Sequence, residues 1–219
     1  MLASALFAGY RMQKTQHGSD MSPRRWCLAL LIGTGVLIAS FVMFALALYP
    51  VDGVRMAIRL TARTSLVLFV LAFTASSLFA LWPSPVTAWL RAERRQFGVA
   101  FAFSHFIHAA ALVALSQIDP QVFAALTTPA SFIAGGIGYV IIVAMFATSF
   151  KRVAALVGPR CWQRLHTGGA WFLAAFFIIN FGRRAIVMPA MYWPYMALVF
   201  AAVALRLFAA QLKSSARVT

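Results

Sequence analysis

Residues 26–49 read WCLALLIGTGVLIASFVMFALALY, an apolar stretch without a charged side chain, closed by Pro50. A run of this length crosses the roughly 30 Å of bilayer hydrocarbon as a helix, for which about 20 residues are enough. The same pattern returns at Thr64–Trp82 (closed by Pro83), Phe97–Ser116, Ala130–Phe150, Gly168–Phe181 and Tyr192–Ala210. The Gly168–Phe181 run is short unless its helix begins near Gln163, which would carry Arg164 and His166 into the first turn. These runs predict an all-α integral membrane bundle of six transmembrane helices. Composition agrees: 63% of the chain is hydrophobic and 11% charged, where a soluble domain carries about 25% charged residues. With Asp20, Asp52, Glu93 and Asp119 as its complete acidic complement, the chain cannot build a water-facing shell.

A formal net charge of +15 would suggest nucleic acid, but the basic residues punctuate apolar runs instead of clustering on a polar domain. No nucleic-acid partner is expected; membrane lipids are, since juxtamembrane Arg and Lys bind lipid phosphates and set orientation. Placing the N-terminus in the cytoplasm puts Arg55, Arg59, Arg63, Arg183 and Arg184 outside and every other basic residue inside. That bias predicts six spans with both termini cytoplasmic, in a cell inner (plasma) membrane. Residues 1–25 read as a polar extension, disordered or preceding a natural start at Met21, and no signal peptide is expected. Residues 26–211 form the bundle and 212–219 a cytoplasmic tail. Cys27 and Cys161 form no CxxC, so neither a disulfide framework nor a zinc site is implied.

The loops are too short for a nucleotide-binding domain, and no GxGxxG after a strand or Walker lysine motif is present. Gly135, Gly136 and Gly138 read as a close-packing stripe in the fourth span. Polar groups inside spans are costly and therefore the candidates for chemistry. The third span carries His105 and His108, the start of the fifth carries His166, and His17 in the polar extension is set aside. Residues three apart share one side of a helix. Neutral imidazole suits iron, and two helices offering imidazoles to opposite faces of a macrocycle make a membrane b-type heme site. The bland alternative is that these histidines hydrogen-bond neighbouring helices.

Arg94-Arg95-Gln96-Phe97-Gly98-Val99, running into the helix that bears His108, resembles the Arg-Arg-x-Leu-Gly-Leu…His pattern of the ferric reductase-like transmembrane family. Trp162-Gln163-Arg164-Leu165-His166 is similar to that family's Trp-x-Arg-Leu-His, and Thr61-Ala62-Arg63-Thr64-Ser65-Leu66 to its entry into helix two. The resemblance covers about residues 26–210 and, within the family, is greatest to the heme-binding membrane subunits of bacterial methionine-sulfoxide reductase systems. It implies a heme-bearing bundle that moves electrons across or along the membrane. The chain departs from the family where a further His is usual: Ile179 stands there, followed by Asn180. The common two-heme arrangement is thereby removed.

Depth bears on the ligands. With Arg95 and Arg164 as surface markers, a rise of 1.5 Å per residue sets His105 roughly 15 Å deep, His108 roughly 20 Å and His166 roughly 3 Å. A bis-His heme needs its ligands at one level, and His105 and His166 differ by roughly 12 Å on this reckoning. Asn180 lies nearer the level of His108 and could hydrogen-bond a bound ligand or a quinone. Arg63, Arg183 and Arg184 would meet heme propionates in the outer half, with lipid headgroups an equal alternative for Arg183 and Arg184.

The expected function is a heme b-binding membrane electron-transfer subunit that takes electrons from quinol or a flavin-containing partner and passes them to an acceptor across the membrane. Its metal ligands would be His108 and His166, with His105 a rival to His108. Arg63, Arg183, Arg184 and Asn180 would bind the cofactor, one heme b, with quinone as a second candidate. Two alternatives stand beside it: a heme-free anchor or assembly subunit of the same ancestry, and a small-molecule or proton transporter. The last is disfavoured by the lack of a mid-span carboxylate.

Overall fold

The computed structural model describes residues 26–215, so the expected N-terminal extension lies outside the described residues. Seven helices follow one another there: α1 (Cys27–Ala45), α2 (Pro50–Leu81), α3 (Pro85–Ile118), α4 (Pro120–Leu126), α5 (Pro129–Ala147), α6 (Lys151–Val187) and α7 (Pro189–Ser215). All except the short α4 are long and apolar enough to cross a membrane. The six-span, all-helical architecture is as the apolar runs predict.

Several helices outrun their apolar stretches. At 34 residues, α3 is about 50 Å long, well beyond the hydrocarbon core. Its first turns hold Arg91, Arg94 and Arg95, as those of α2 hold Arg55 and Arg59. Hydropathy delimits the part of a helix that lipid covers, while the helix itself continues through the basic turns. Proline does more starting than stopping. Pro50, Pro85, Pro120, Pro129 and Pro189 each open a helix, where the missing N–H would have had no partner. Ser84 and Thr128 add reciprocal capping boxes with Thr87 and Ser131. The last helix runs to Ser215, into the segment expected to be tail.

The fifth span is longer than its apolar core because α6 begins at Lys151. It is broken at Gly158, whose φ of 75° no helix interior adopts, and it resumes at Pro159. His166 therefore stands two turns inside the resumed helix.

Central α2 packs against α1, α3 and α7, while α6 packs against α5 and α7. The backbones of α3 and α6 do not pack closely. They meet through aromatic side chains, with Phe101 and Phe177 6.2 Å apart between ring centres and Phe69 wedged against both. That spacing leaves room on either side of the aromatic layer. Close approach is made elsewhere: a Cβ on Gly169 of α6 would fall 2.7 Å from Met145 Sδ and 2.8 Å from Ile141 Cγ2 on α5. The glycine stripe of α5 was expected to serve this purpose. Instead Gly135 and Gly136 have nothing within 4 Å of a built Cβ and face open space, with Gly138 alone near Phe172. Outward-facing side chains stay apolar, as lipid requires; Leu31 is 73% exposed and Val140 70%.

Candidate functional site: two cavities between the third and fifth spans

Two cavities lie between α3 and α6, and Ile142 and Leu173 line both. The first, the Arg63 cavity, has a volume of about 520 Å³, within the size range of cofactor sites. His105, His108, Asn180, Arg63 and Arg184 all line it. Of the residues expected at the site, His166 and Arg183 are not brought there. Arg183 is exposed on the outer surface of α6. Successive helical residues point about 100° apart, and here that turn leaves Arg184 on the cavity wall and Arg183 off it. The same rule separates Ile179, 59% exposed, from cavity-lining Asn180.

His108 is held by its neighbours on α2. Its Nδ1 lies 3.1 Å from the carbonyl oxygen of Ile58 and 2.9 Å from Thr61 Oγ1. A carbonyl can only accept, so the bonding pattern assigns the ring hydrogen to Nδ1 and leaves the lone pair on Nε2. Thr61 gives its own hydrogen to the Ala57 carbonyl, 2.7 Å away, and so accepts from His108. One turn further in, Ser65 donates to Ser104 at 2.8 Å. Thr61 and Ser65 on α2 thus face Ser104 and His108 on α3, two polar pairs at the same four-residue spacing. That spacing was legible in the sequence and is the signal that would have found Thr61 and Ser104.

His105 is 8% exposed, and its Nδ1 is buried without a hydrogen-bond partner. Its ring lies 5.3 Å from those of both His108 and Tyr139. Because His105 and His108 come from one helix, they cannot approach a flat macrocycle from opposite faces. At the rim, Arg63 sits over the rings of Tyr192 and Tyr195, and its Nε is buried without a partner. Arg184 reaches the Tyr192 hydroxyl at 3.4 Å. Asn180 donates to the Phe176 carbonyl on its own helix at 2.8 Å, leaving its carbonyl oxygen for the cavity side.

The second, the Arg94 cavity, is larger at about 1030 Å³. His166 lines it, together with Arg94, Arg95, Lys151 and Arg206. The His166 ring is stacked on Trp162 at 4.2 Å, and its Nε2 is 3.0 Å from Thr148 Oγ1. Thr148 gives its hydrogen to the nearer Ala144 carbonyl at 2.7 Å, which makes His166 Nε2 the donor. The expected pairing of His108 with His166 across one porphyrin is therefore not what the geometry brings together: the two imidazoles line different cavities. The physical reason is depth, since Arg94 and His166 share one level of the bundle while His105 and His108 lie beyond the aromatic layer.

Residues 59–179, more than half of the chain, match the family model described as Ferric reductase like transmembrane component. The chain belongs to the ferric reductase-like transmembrane family. No curated protein and no solved structure matches it. The matched stretch of this ferric reductase-like domain holds His105, His108 and His166, with Arg63 and Arg94, and runs from α2 into α6. Asn180, Arg184 and Arg206 lie beyond it.

Domains of this family commonly bind heme. The Arg63 cavity offers a tautomer-fixed imidazole with a free Nε2, a cationic rim and a buried Nε on Arg63 with no partner of its own. Those residues fit a porphyrin held from one side by His108. They do not fit two imidazoles from opposite faces.

Proposed function

We propose that this multi-pass membrane protein is a heme b-binding electron-transfer subunit of the inner (plasma) membrane, with both termini cytoplasmic. The observation that carries the reading is the environment of His108. A ligating histidine almost always donates its second ring N–H to a carbonyl or carboxylate, which fixes the ring and raises its basicity. Ile58 and Thr61 supply that arrangement here. In the Arg63 cavity the residues have separable tasks. His108 would hold the iron, while Arg63 and Arg184 would neutralise propionates. Asn180 would offer its carbonyl oxygen to the bound group, or to a quinone, as a hydrogen-bond acceptor. The bound heme would supply one-electron chemistry; the chain itself would orient it and shield it from water.

Electrons would come from quinol or a flavin-containing partner, because no nucleotide-binding fold occurs among the described residues. They would leave to an acceptor across the membrane. The resemblance to heme subunits of methionine-sulfoxide reductase systems belongs to this same reading. His166, in the Arg94 cavity, is a hydrogen-bonded residue of that cavity on this account, and not the partner of His108.

The test is the purified full chain from heme-replete cells. Stoichiometric heme with the sharp reduced bands of a b-type centre is the expected result. A colourless, folded protein would overturn the reading and leave the heme-free anchor or assembly subunit in its place.

A further inference from the structure

We propose that the Arg94 cavity is a binding site for the phosphate of an anionic membrane phospholipid. The inference goes beyond the heme reading and does not depend on it. The charged side chains that line this cavity are all cationic. Arg94, Lys151 and Arg206 converge on it from α3, α6 and α7. Among the described residues the one ion pair joins Arg55 to Asp52, so no described carboxylate neutralises any of the three.

Arg206 is the most informative. It belongs to a membrane-spanning helix, is half-buried, and its guanidinium carbon lies 4.2 Å from the centre of the Phe73 ring and 5.4 Å from that of Trp171. Its one hydrogen bond is a long 3.4 Å contact to the Phe73 carbonyl. A guanidinium has five N–H donors in a fork that suits phosphate. Most of that fork is unused by the described residues. Arg94 makes a single 2.8 Å bond to Ser76 and keeps donors in reserve.

The break in α6 adds to the same field. Gly158 and Pro159 line the cavity, so the resumed helix starts there and its positive dipole end lies at the cavity wall. The remaining wall is apolar, built from Phe69, Phe101, Met145 and Phe146. A phosphate head at the cations with acyl chains along those rings satisfies both parts. Phospholipid is also the anion that the surrounding solvent supplies, and basic pockets between spans are known takers of acidic headgroups.

The experiment uses the full chain purified in a neutral detergent, with native mass spectrometry as the readout. Wild type should retain one anionic phospholipid per chain and be stabilised against heat by phosphatidylglycerol but not by phosphatidylcholine. Arg94→Gln with Arg206→Gln should weaken that retention about tenfold, as expected for lost charge-assisted bonds. Arg206→Lys should keep part of it, and Arg152→Gln with Arg160→Gln, on exposed residues outside the cavity, should change nothing. If the double variant does not fold, the wild-type comparison of the two lipids decides. Equal stabilisation by both lipids, or equal retention by the double variant, would overturn the proposal. So would a stoichiometric porphyrin or soluble phosphate compound, in place of lipid, that the double variant alone loses. Heme content of the Arg63 cavity is read separately and bears only on the other proposal.

Discussion

His108 and His166 are both imidazoles of long helices, and each lines a cavity. In the folded chain they differ in what their neighbours ask of them. The backbone carbonyl of Ile58, which cannot donate, fixes the hydrogen of His108 on Nδ1 and leaves Nε2 for a ligand. His166 instead spends Nε2 on Thr148 and one ring face on Trp162. Around His108 the cations stand at the rim and a polar pair, Asn180 and His105, stands inside. Around His166 the cations dominate and the walls are aromatic. Thus one bundle holds two cavities of different character, separated by Ile142, Leu173 and the Phe69–Phe101–Phe177 layer, the first proposed for coordination and the second for anion capture.

The strongest way to break this contrast is to remove each imidazole in turn. His108→Ala should abolish heme retention, by a hundredfold or so in affinity, while His166→Ala should leave heme per protein near the wild-type level; pyridine hemochrome assay of matched preparations reads both. Equal loss from the two variants would mean that the cavities cooperate on one group after all. A step down in size, Thr61→Val removes one of two acceptors on His108 Nδ1. Since loss of an outer partner commonly costs 10–100-fold in metal affinity and Ile58 remains, about tenfold is expected. The reduced absorption bands should also shift or broaden as the ring loosens, which a purely structural role would not produce. Smaller again is Arg63→Ala. Its guanidinium is only half-buried, so the interaction is worth about 0.2–1 kcal/mol and heme affinity should fall about threefold, measured by competition with apomyoglobin.

How much of this was legible depends on what sequence encodes directly. The six spans were, because apolar length is a local property, and the Arg55, Arg59 and Arg91 turns were missed as helix because hydropathy reports lipid, not hydrogen bonding. The break at Gly158-Pro159 had its dipeptide signal, and it lies just upstream of the apolar run that drew attention. For the site, depth along an axis was readable: the 1.5 Å rise already set His166 apart from His105 and His108. Azimuth was readable only in part. Arg183 beside Arg184, and Ile179 beside Asn180, are neighbours about 100° apart of which one lines the cavity and the other does not, and sequence alone does not say which. The anchoring of His108 by a main-chain carbonyl on another helix leaves no trace in residue identity at all, since Ile58 contributes through an atom every residue has.

The smallest effect on either ligand should come from the contact that fixes the width between the cavities and the α5 side. Gly169→Ala would place a methyl 2.7 Å from Met145 Sδ and 2.8 Å from Ile141 Cγ2. The thioether can swing away, because Met145 is flexible and already borders the Arg94 cavity. Ile141 is β-branched and cannot turn without cost. The variant should therefore lose about 1–3 kcal/mol of stability, seen as a lower melting temperature in detergent, as overpacked interfaces do. It should also crowd the Arg94 cavity through Met145 and reduce phosphatidylglycerol retention modestly. Heme content should stay unchanged, because Met145 does not line the Arg63 cavity. A matched loss of heme in Gly169→Ala would show that the two compartments move as one, and that the wall of Ile142 and Leu173 transmits strain instead of separating two sites.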